Sequence, residues 1–250
     1  MANRHAGNVG DVWKHLPLVA ILQHERVRAY AESHAGAALN ELRGTPAEAH
    51  GVGRVLTHWP ASRPSRYVEW LRRALRGVSG LGSSLQPAQL AGHPSPGSAW
   101  FALHSLGSEC HYLFCDLDPH SLDSIRDAAK SLGLACDRLQ LETDGGDGLQ
   151  HLLHAVPWES VPAAETLVLL DPFDPFARHT PDGPNAVEVF LSLANRGVRT
   201  VLWYGYTDPS VRERLFQALC HPQIDESQPT PSRQPALELG LWITDLQLEE

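Results

Sequence analysis

The chain has 250 residues, of which 42% are hydrophobic and 20% charged, an ordinary composition for a globular protein. No apolar run approaches the roughly 18 residues that span a bilayer, which argues against a transmembrane protein. Its 20 Lys and Arg against 29 Asp and Glu leave a formal net charge of −9, so a nucleic-acid substrate would need a local basic patch.

The first elements lie in residues 1–38. The polar opening, residues 1–13, lacks the apolar stretch of a secretory signal, and we expect a cytoplasmic protein. Apolar residues at helical spacing predict a helix from near His15 to about residue 27, with Pro17 in its first turn. Residues 28–33 predict a short strand, and the small residues at 34–38 predict a tight turn into a helix.

Residues 44–108 have an irregular pattern, with three tryptophans and many Pro, Gly and Ser residues. Within this segment, residues 67–76 have the spacing of an amphipathic helix. We interpret 44–108 as an inserted, partly helical subdomain of a single domain that spans residues 1–250.

The second half of the chain alternates apolar strands with helices. Predicted strands cover 111–117, 138–142, 166–170 and 199–204, and predicted helices cover 119–132, 148–155, 186–195 and 209–219. Residues 237–247 predict a final hairpin. The alternation predicts an α/β fold with a doubly wound, mostly parallel, Rossmann-like sheet.

Ligands of such sheets bind beyond the carboxyl ends of the strands, which makes the polar residues at those ends the candidates for a site. The first strand is followed by Ser33 and His34, and the second by Asp116 and Asp118. A carboxylate after the second strand can accept both hydroxyls of a ribose. Since Asp118 precedes Pro119, it is the better helix cap, which favours Asp116 for the ribose.

The third and fourth strand ends are also acidic. The loop 144–148, Asp-Gly-Gly-Asp-Gly, could bring a carboxylate to an adenine amino group, although a plain turn is an equal interpretation. The segment 171–176, Asp-Pro-Phe-Asp-Pro-Phe, could hold carboxylate and carbonyl acceptors for an amine beside an aromatic face. Its alternative interpretation is an ordinary turn with a phenylalanine in the core.

Other chemistry finds little support in the sequence. The four cysteines have no zinc-ligand spacing, and we expect free thiols rather than disulfides. The histidines are scattered, so we predict no metal site and place most of them at the surface or at caps; those considered are His111, His120, His151, His154 and His179. Signatures of serine hydrolases and phosphate-binding loops are absent.

The chain resembles a known family. His5-Ala6-Gly7-Asn8 with Asp11-Val12 and Lys14-His15, followed by 33–37 (Ser-His-Ala-Gly-Ala), resemble the amino-terminal signature of the RlmJ-type bacterial ribosomal RNA adenine-N6 methyltransferases. Further matches in the family's order span nearly the whole chain: 96–98 (Pro-Gly-Ser), 116–119 (Asp-Leu-Asp-Pro), 147–148 (Asp-Gly), 170–172 (Leu-Asp-Pro) and 202–204 (Leu-Trp-Tyr).

The resemblance implies a class I methyltransferase fold, S-adenosylmethionine as cofactor and an adenine of 23S ribosomal RNA as methyl acceptor. It implies cofactor contacts from six residues: His15, His34, Ser98, Asp116, Asp147 and Gly148. Asp171 is implied as the catalytic carboxylate, and the acceptor-binding residues would be Pro172, Phe173, Asp174 and Phe176. The methyl donor is already activated by its positive sulfur, so positioning is the main catalytic requirement.

Two departures from the family pattern bear on the acceptor. Phe173 stands where the second proline of the family's DPPY motif would be, and Asp174 occupies the aromatic position. Asn3 stands where the family has an aromatic residue that touches RNA. Two rival functions follow: an enzyme with the same cofactor that acts on a small amine or planar metabolite, and a non-catalytic cofactor-binding protein. For an RNA substrate, we expect a basic face from Arg63, Arg66, Arg72, Arg73 and Arg76.

Overall fold

The protein is an α/β protein with a five-stranded parallel sheet flanked by helices, seen in a computed structural model. The structure describes residues 6–75, 85–142, 148–156, 158–204 and 209–220. The strands of the sheet are β1 (Ala29–Glu32), β4 (His111–Cys115), β5 (Leu139–Glu142), β6 (Thr166–Leu170) and β7 (Arg199–Leu202). Two further strands, β2 (Leu39–Glu41) and β3 (Pro94–Pro96), form a separate antiparallel pair.

The order of the sheet is β5-β4-β1-β6-β7, with all neighbours parallel. The chain first adds β4 and β5 on one side of β1, and then places β6 and β7 on the other side. The order reverses at β1, and this is where ligands bind in open α/β sheets, beyond the carboxyl ends of the strands. The topology is compatible with a Rossmann-like fold.

The helices fall along the whole described chain. Longer helices are α1 (Val9–His24), α4 (Arg66–Ala74), α5 (Ser98–Leu106), α6 (Pro119–Ser131), α7 (Gly148–Ala155), α8 (Ala186–Asn195) and α9 (Pro209–Cys220). Two short ones, α2 (Pro46–Glu48) and α3 (Arg54–His58), flank a π-helical turn at Ala49–Gly53. No helix in the described ranges has the length and apolar character needed to cross a membrane.

The chain divides into two compact units. The first comprises the described residues up to Arg26, Ala35–Glu109 and Asp118–Arg138, and thus holds α1 to α6 and the β2-β3 pair. The second comprises Val27–His34, Cys110–Leu117 and the described residues from Leu139 onward, and holds the parallel sheet with α7, α8 and α9.

The second unit is built on a continuous apolar core. Buried side chains of the sheet, including Leu113 and Val168, pack with Leu152 of α7, Phe190 of α8 and Leu215 of α9. Each such side chain stabilises the fold by about 1.5–3 kcal/mol relative to exposure. All five residues of β6 are buried, which explains why that strand is a continuous apolar run rather than an alternating one.

In the first unit, α1 begins six residues before the predicted start. The side chain of Asn8 accepts a hydrogen bond from the backbone N–H of Asp11 at 3.0 Å and caps the helix. Pro17 therefore lies in the helix interior, which corrects the prediction that it occupies the first turn. The polar opening concealed the helix because its first turns carry few apolar residues.

Two other predictions in this region differ from the structure. Residues 34–38 lead into the strand β2, not into a helix, because residues 39–41 pair with Pro94–Pro96. Within 44–108, the helix α5 was missed, although α4 lies close to its predicted position. The predicted hairpin at 237–247 falls outside the described residues.

Most predicted elements of the second half are confirmed within a few residues. The helix Ala186–Asn195 has the predicted bounds, and the strands at 111, 139, 166 and 199 are all present. The side chain of Asp118 caps α6 by accepting the N–H of His120 at 3.0 Å, as predicted. Cys110 and Cys115 are buried free thiols, also as predicted.

Candidate functional site

A cleft lies at the carboxyl ends of β1, β4 and β5, and we call it the strand-end cleft. All of its lining residues belong to the second unit. They follow or end three neighbouring strands, or lie on α7 and on the loop after β6. The lining residues are Ser33, His34, Cys115, Asp116, Leu117, Glu142, Gly148, His151 and His179.

Asp116 is held at the cleft by the pairing of β4 with β5. Cys115 is in register with Glu142, and the backbone N–H of Asp116 donates to the carbonyl oxygen of Glu142 at 3.2 Å. The side chain of Glu142 lies 3.9 Å from Nε2 of His151 on α7, measured to Oε1. Two carboxylates are thus fixed at adjacent strand ends, where they can accept hydrogen bonds from hydroxyl groups.

Ser33 and His34 form the next part of the lining. The backbone N–H of Ser33 donates to the carbonyl oxygen of Leu169 at 3.2 Å, which anchors the turn to β6. Oγ of Ser33 lies 2.6 Å from Nδ1 of His34. Burial, and then the proximity of His179, lower the pKa of His34 to about 4. His34 is therefore neutral at pH 7, with one ring nitrogen able to donate and the other able to accept.

Gly148 packs closely against two other residues that line the cleft. A Cβ at this position would lie 3.1 Å from Cβ of Cys115 and 3.2 Å from the carbonyl oxygen of Ser33. Both distances are tighter than normal van der Waals contact, so a side chain here would press against two cleft residues. Asp147, the other predicted cofactor residue of this loop, lies outside the described residues.

The segment 171–176 follows β6, and its residues do not line the strand-end cleft. Oδ1 of Asp174 accepts the backbone N–H of Phe176 at 2.9 Å, which stabilises the turn. Phe176 packs against the core of the second unit, and the guanidinium of Arg214 lies 4.0 Å from its ring centroid. Phe173 is 97% exposed, so its ring is available to an external partner.

Asp171 lies at the end of β6, near a buried pair on β1. The hydroxyl of Tyr30 donates to Oε2 of Glu32 at 3.1 Å, and both side chains are fully buried. Burial and then the negative charge of Glu32 raise the pKa of Tyr30 well above its usual value, with a smaller contribution from Asp171. Asp171 itself is partly exposed.

His15 and Ser98, two further predicted cofactor residues, lie in the first unit. The His15 ring is buried, with centroids 5.2 Å from Phe101 and 6.4 Å from Tyr67. Burial, and then the charge of Lys14, lower its pKa to about 3. Within the described residues its Nε2 has no hydrogen-bond partner, an arrangement that costs free energy unless a ligand supplies one. Ser98 is buried at the first position of α5.

The amino-terminal motif also has a structural function. Gly7 adopts a φ of +78°, and its N–H donates to Oδ2 of Asp11 at 2.7 Å. Asp11 also pairs with Nζ of Lys14 at 3.3 Å. Gly51 packs so closely that an added Cβ would lie 2.2 Å from the carbonyl oxygen of Gly7. These contacts fix the turn from which α1 begins, and Val9, the first residue of this helix, lies six residues before His15.

The structure brings three predicted cofactor residues, His34, Asp116 and Gly148, into one cleft. Glu142 was not predicted as a site residue, although a carboxylate as the last residue of a predicted strand was an available signal. His151 and His179 line the cleft, a role that the sequence analysis did not give them when it placed most histidines at the surface or at caps. His179 is exposed, and His151 is partly exposed. Their separation along the chain concealed that α7 and the loop after β6 meet at one place.

No metal centre is apparent in the described part of the chain, which has no group of three or more His, Cys, Asp or Glu suited to hold an ion. No protein-family model and no curated protein matches the sequence. Among solved structures, the chain is similar to the protein LPL1258 of Legionella pneumophila, assigned to the family DUF519. The TM-score is 0.56 at 21% identity, over 85% of this chain and 74% of that one. This likeness shows a shared fold.

Proposed function

We propose that the protein is a methyltransferase of the Rossmann-like class I fold that binds S-adenosylmethionine. The observation that carries the proposal is the convergence of His34, Asp116 and Gly148 in the strand-end cleft. These residues come from three separate places in the sequence, and the sequence resemblance implies each of them as a cofactor contact. The interpretation of residues 44–108 as a subdomain inserted into that fold belongs to the same proposal.

The chemistry of the cleft fits a nucleoside. Asp116 follows the strand next to β1, the position from which a carboxylate accepts ribose hydroxyls in related dinucleotide folds. Glu142 adds a second acceptor, and neutral His34 can donate or accept. Gly148 packs tightly against Cys115 and the carbonyl oxygen of Ser33, so the start of α7 lies close to the ends of β1 and β4 at this cleft. In the first unit, the buried Nε2 of His15 has no hydrogen-bond partner within the described residues, which leaves this atom able to donate to or accept from a ligand of that unit.

The proposed acceptor is an adenine amine of ribosomal RNA, and Asp171 is the proposed catalytic carboxylate. The cofactor supplies an electrophilic methyl group on a positively charged sulfur. Asp171 and the adjacent backbone carbonyl accept hydrogen bonds from the amine, which orients its lone pair. When bound, the cofactor would supply this methyl group to the amine nitrogen: the new carbon–nitrogen bond would replace the carbon–sulfur bond, whose electrons would go to sulfur, and the amine proton would pass to solvent.

Phe173 is the proposed aromatic platform for the acceptor. Asp174 is engaged in the turn with Phe176, and Phe176 packs under Arg214. The 97% exposed ring of Phe173 has the freedom to stack on a planar base. In this chain the stacking residue would therefore stand one position earlier than the aromatic position of the family motif.

A small acceptor is the second candidate, favoured by the formal net charge of −9. The two candidates share the cofactor and differ in what Phe173 contacts. Transfer of a radioactive methyl group to unmodified 23S ribosomal RNA, compared with a panel of small planar amines, tests them together. Incorporation into RNA that is lost in Asp171→Ala supports the first. Incorporation into small amines alone would replace it with the second.

A further inference from the structure

Helices α4 and α5 of the first unit present cationic and aromatic side chains side by side. Arg66, Trp70 and Arg73 follow each other at spacings of four and three residues, so they share one edge of α4. Trp100 and His104, four residues apart, share one edge of α5. We call these five residues the Arg–Trp surface.

Ring contacts join the two helices into one surface. The rings of Trp70 and Trp100 meet edge to face, with centroids 5.8 Å apart. Trp100 in turn stacks on His104, with centroids 3.5 Å apart and planes 22° apart. Both tryptophans and His104 are partly exposed, whereas Phe101, which lies beneath Trp70 and Trp100, is buried. The indoles therefore have a fixed arrangement with part of their area in solvent.

Positive charges surround these rings. The guanidinium of Arg66 lies 5.6 Å from the ring centroid of Trp70, while also pairing with Glu69 at 3.2 Å. Arg73 is exposed and close enough to His104 to lower its pKa, behind the larger effect of burial. Arg73 forms no ion pair within the described residues, so its charge is available to a partner.

The charge of this region opposes that of the whole chain. Residues 54–75 contain five arginines (54, 63, 66, 72 and 73) and one acidic residue, Glu69, a formal charge of five minus one, or +4. The chain as a whole carries −9. A polyanion is therefore repelled by most of the chain and attracted to this segment.

We propose that the Arg–Trp surface binds single-stranded RNA, with its arginines on the phosphates and its indoles against unpaired bases. An acidic peptide would satisfy the arginines but has no planar groups for the tryptophans. Each base stacked on an aromatic side chain contributes about 1–3 kcal/mol, and such stacking tolerates any sequence. The combination of rings and cations therefore favours nucleic acid.

The choice of RNA rests on the proposed function. RNA binding by the Arg–Trp surface is tested separately from methyl transfer. The probe is a fluorescein-labelled oligouridylate of about 12 nucleotides, within the usual site size of such surfaces. Because it contains no adenine and the assay contains no cofactor, methyl transfer plays no part in the result. Fluorescence anisotropy gives the Kd at two salt concentrations for the wild type and four variants, whose folding is checked by thermal melting.

We expect Arg73→Glu to weaken binding about tenfold and to reduce its salt dependence. Trp100→Ala should weaken binding roughly fivefold or more, and Trp100→Phe should restore most of the loss because an aromatic face returns. The matched control is Lys130→Glu, which makes the same charge change at an exposed residue of α6. Its Kd should stay within about twofold of the wild-type value.

Three results would overturn the proposal. The first is no binding of the oligouridylate by the wild type at low salt. The second is equal affinity in Arg73→Glu, Trp100→Ala and the wild type. The third is displacement of the RNA by an oligoglutamate peptide at equal concentration, which would indicate an acidic protein partner. RNA binding without methyl transfer would instead support RNA binding by the Arg–Trp surface and refute the proposed function.

Discussion

Asp116 and Glu142 are joined by a hydrogen bond from the backbone N–H of Asp116 to the carbonyl oxygen of Glu142, at 3.2 Å. The bond continues the β4-β5 pairing one residue past the end of β4. Both side chains line the strand-end cleft. The pairing of the sheet thus fixes the backbone of two residues whose carboxylates line the cleft, so both acceptors start from neighbouring positions.

Replacement of Asp116 should weaken cofactor binding. Asp116→Ala removes charge-assisted hydrogen bonds to the ribose, which contribute about 1.5–3 kcal/mol, or roughly 10- to 150-fold in Kd. Calorimetric titration with S-adenosylmethionine measures this change. The matched control is Asp118→Ala, two residues away, which removes the cap of α6 and should lower the melting temperature while preserving cofactor affinity. Equal cofactor affinity in Asp116→Ala and the wild type would disprove the ribose assignment.

The two phenylalanines after β6 should respond differently to truncation. Phe173→Ala should leave stability unchanged, because the ring is 97% exposed, and should raise the KM for the acceptor. Phe176→Ala should lower the free energy of unfolding by about 2–3 kcal/mol, less than a fully buried ring, since its ring packs under Arg214. Urea unfolding and methyl-transfer kinetics separate the two effects. An unchanged KM in Phe173→Ala would exclude this ring as the acceptor platform.

Removal of the proposed catalytic carboxylate should affect turnover without affecting cofactor binding. Asp171→Ala should reduce the single-turnover rate on the order of 100-fold, because the amine loses the group that orients it. Asp171→Asn keeps one acceptor oxygen and should retain more activity than the alanine variant. Cofactor affinity serves as the internal control in both. If both variants transferred methyl groups at the wild-type rate, another residue would have to hold the amine.

The buried histidine of α1 should make stability depend on pH. The pKa of His15 is about 3 in the folded protein and about 6.5 when unfolded, so the unfolded state binds an extra proton between these values. Stability is therefore highest above pH 6.5 and decreases as the pH falls toward 3. His15→Phe, which suits the aromatic neighbours Tyr67 and Phe101, should flatten this slope by up to about 1.4 kcal/mol per pH unit.

Urea unfolding at pH 7, 6 and 5 measures this effect for the wild type and His15→Phe. Parallel pH dependences of the two proteins would contradict the buried, neutral state of His15.

The strands of the sheet and the helix α6 could be predicted because the sequence patterns that indicate them involve only adjacent residues. Thr166–Leu170 is a short apolar run, and Asp118-Pro119 is a cap followed by a proline, so both could be identified from adjacent residues. The start of α1 was missed because its first turns carry few apolar residues, although its cap, Asn8, is local. The strand β2 was missed because it depends on a distant partner, as in the pairing of Leu39 with Pro96. Local propensity carries no information about such partners.

The site was predictable to the extent that it follows strand ends. Asp116 and His34 were found because they come directly after apolar strands, whose carboxyl ends meet in a parallel sheet. His151 and His179 come from a helix and a loop, and their approach to the cleft depends on how α7 and the chain after β6 pack. The contact between the guanidinium of Arg214 and the ring of Phe176 could likewise not be predicted, since the two residues lie 38 positions apart in the sequence.

We propose that the strand-end cleft binds S-adenosylmethionine. Isothermal titration calorimetry of the full chain with this cofactor and with its demethylated product measures that binding. We expect saturable binding of one cofactor per chain. The cofactor affinity should fall at least about tenfold in Asp116→Ala and should be unchanged in Asp118→Ala. Absence of binding by folded wild-type protein at millimolar cofactor, or equal binding by both variants, would contradict it.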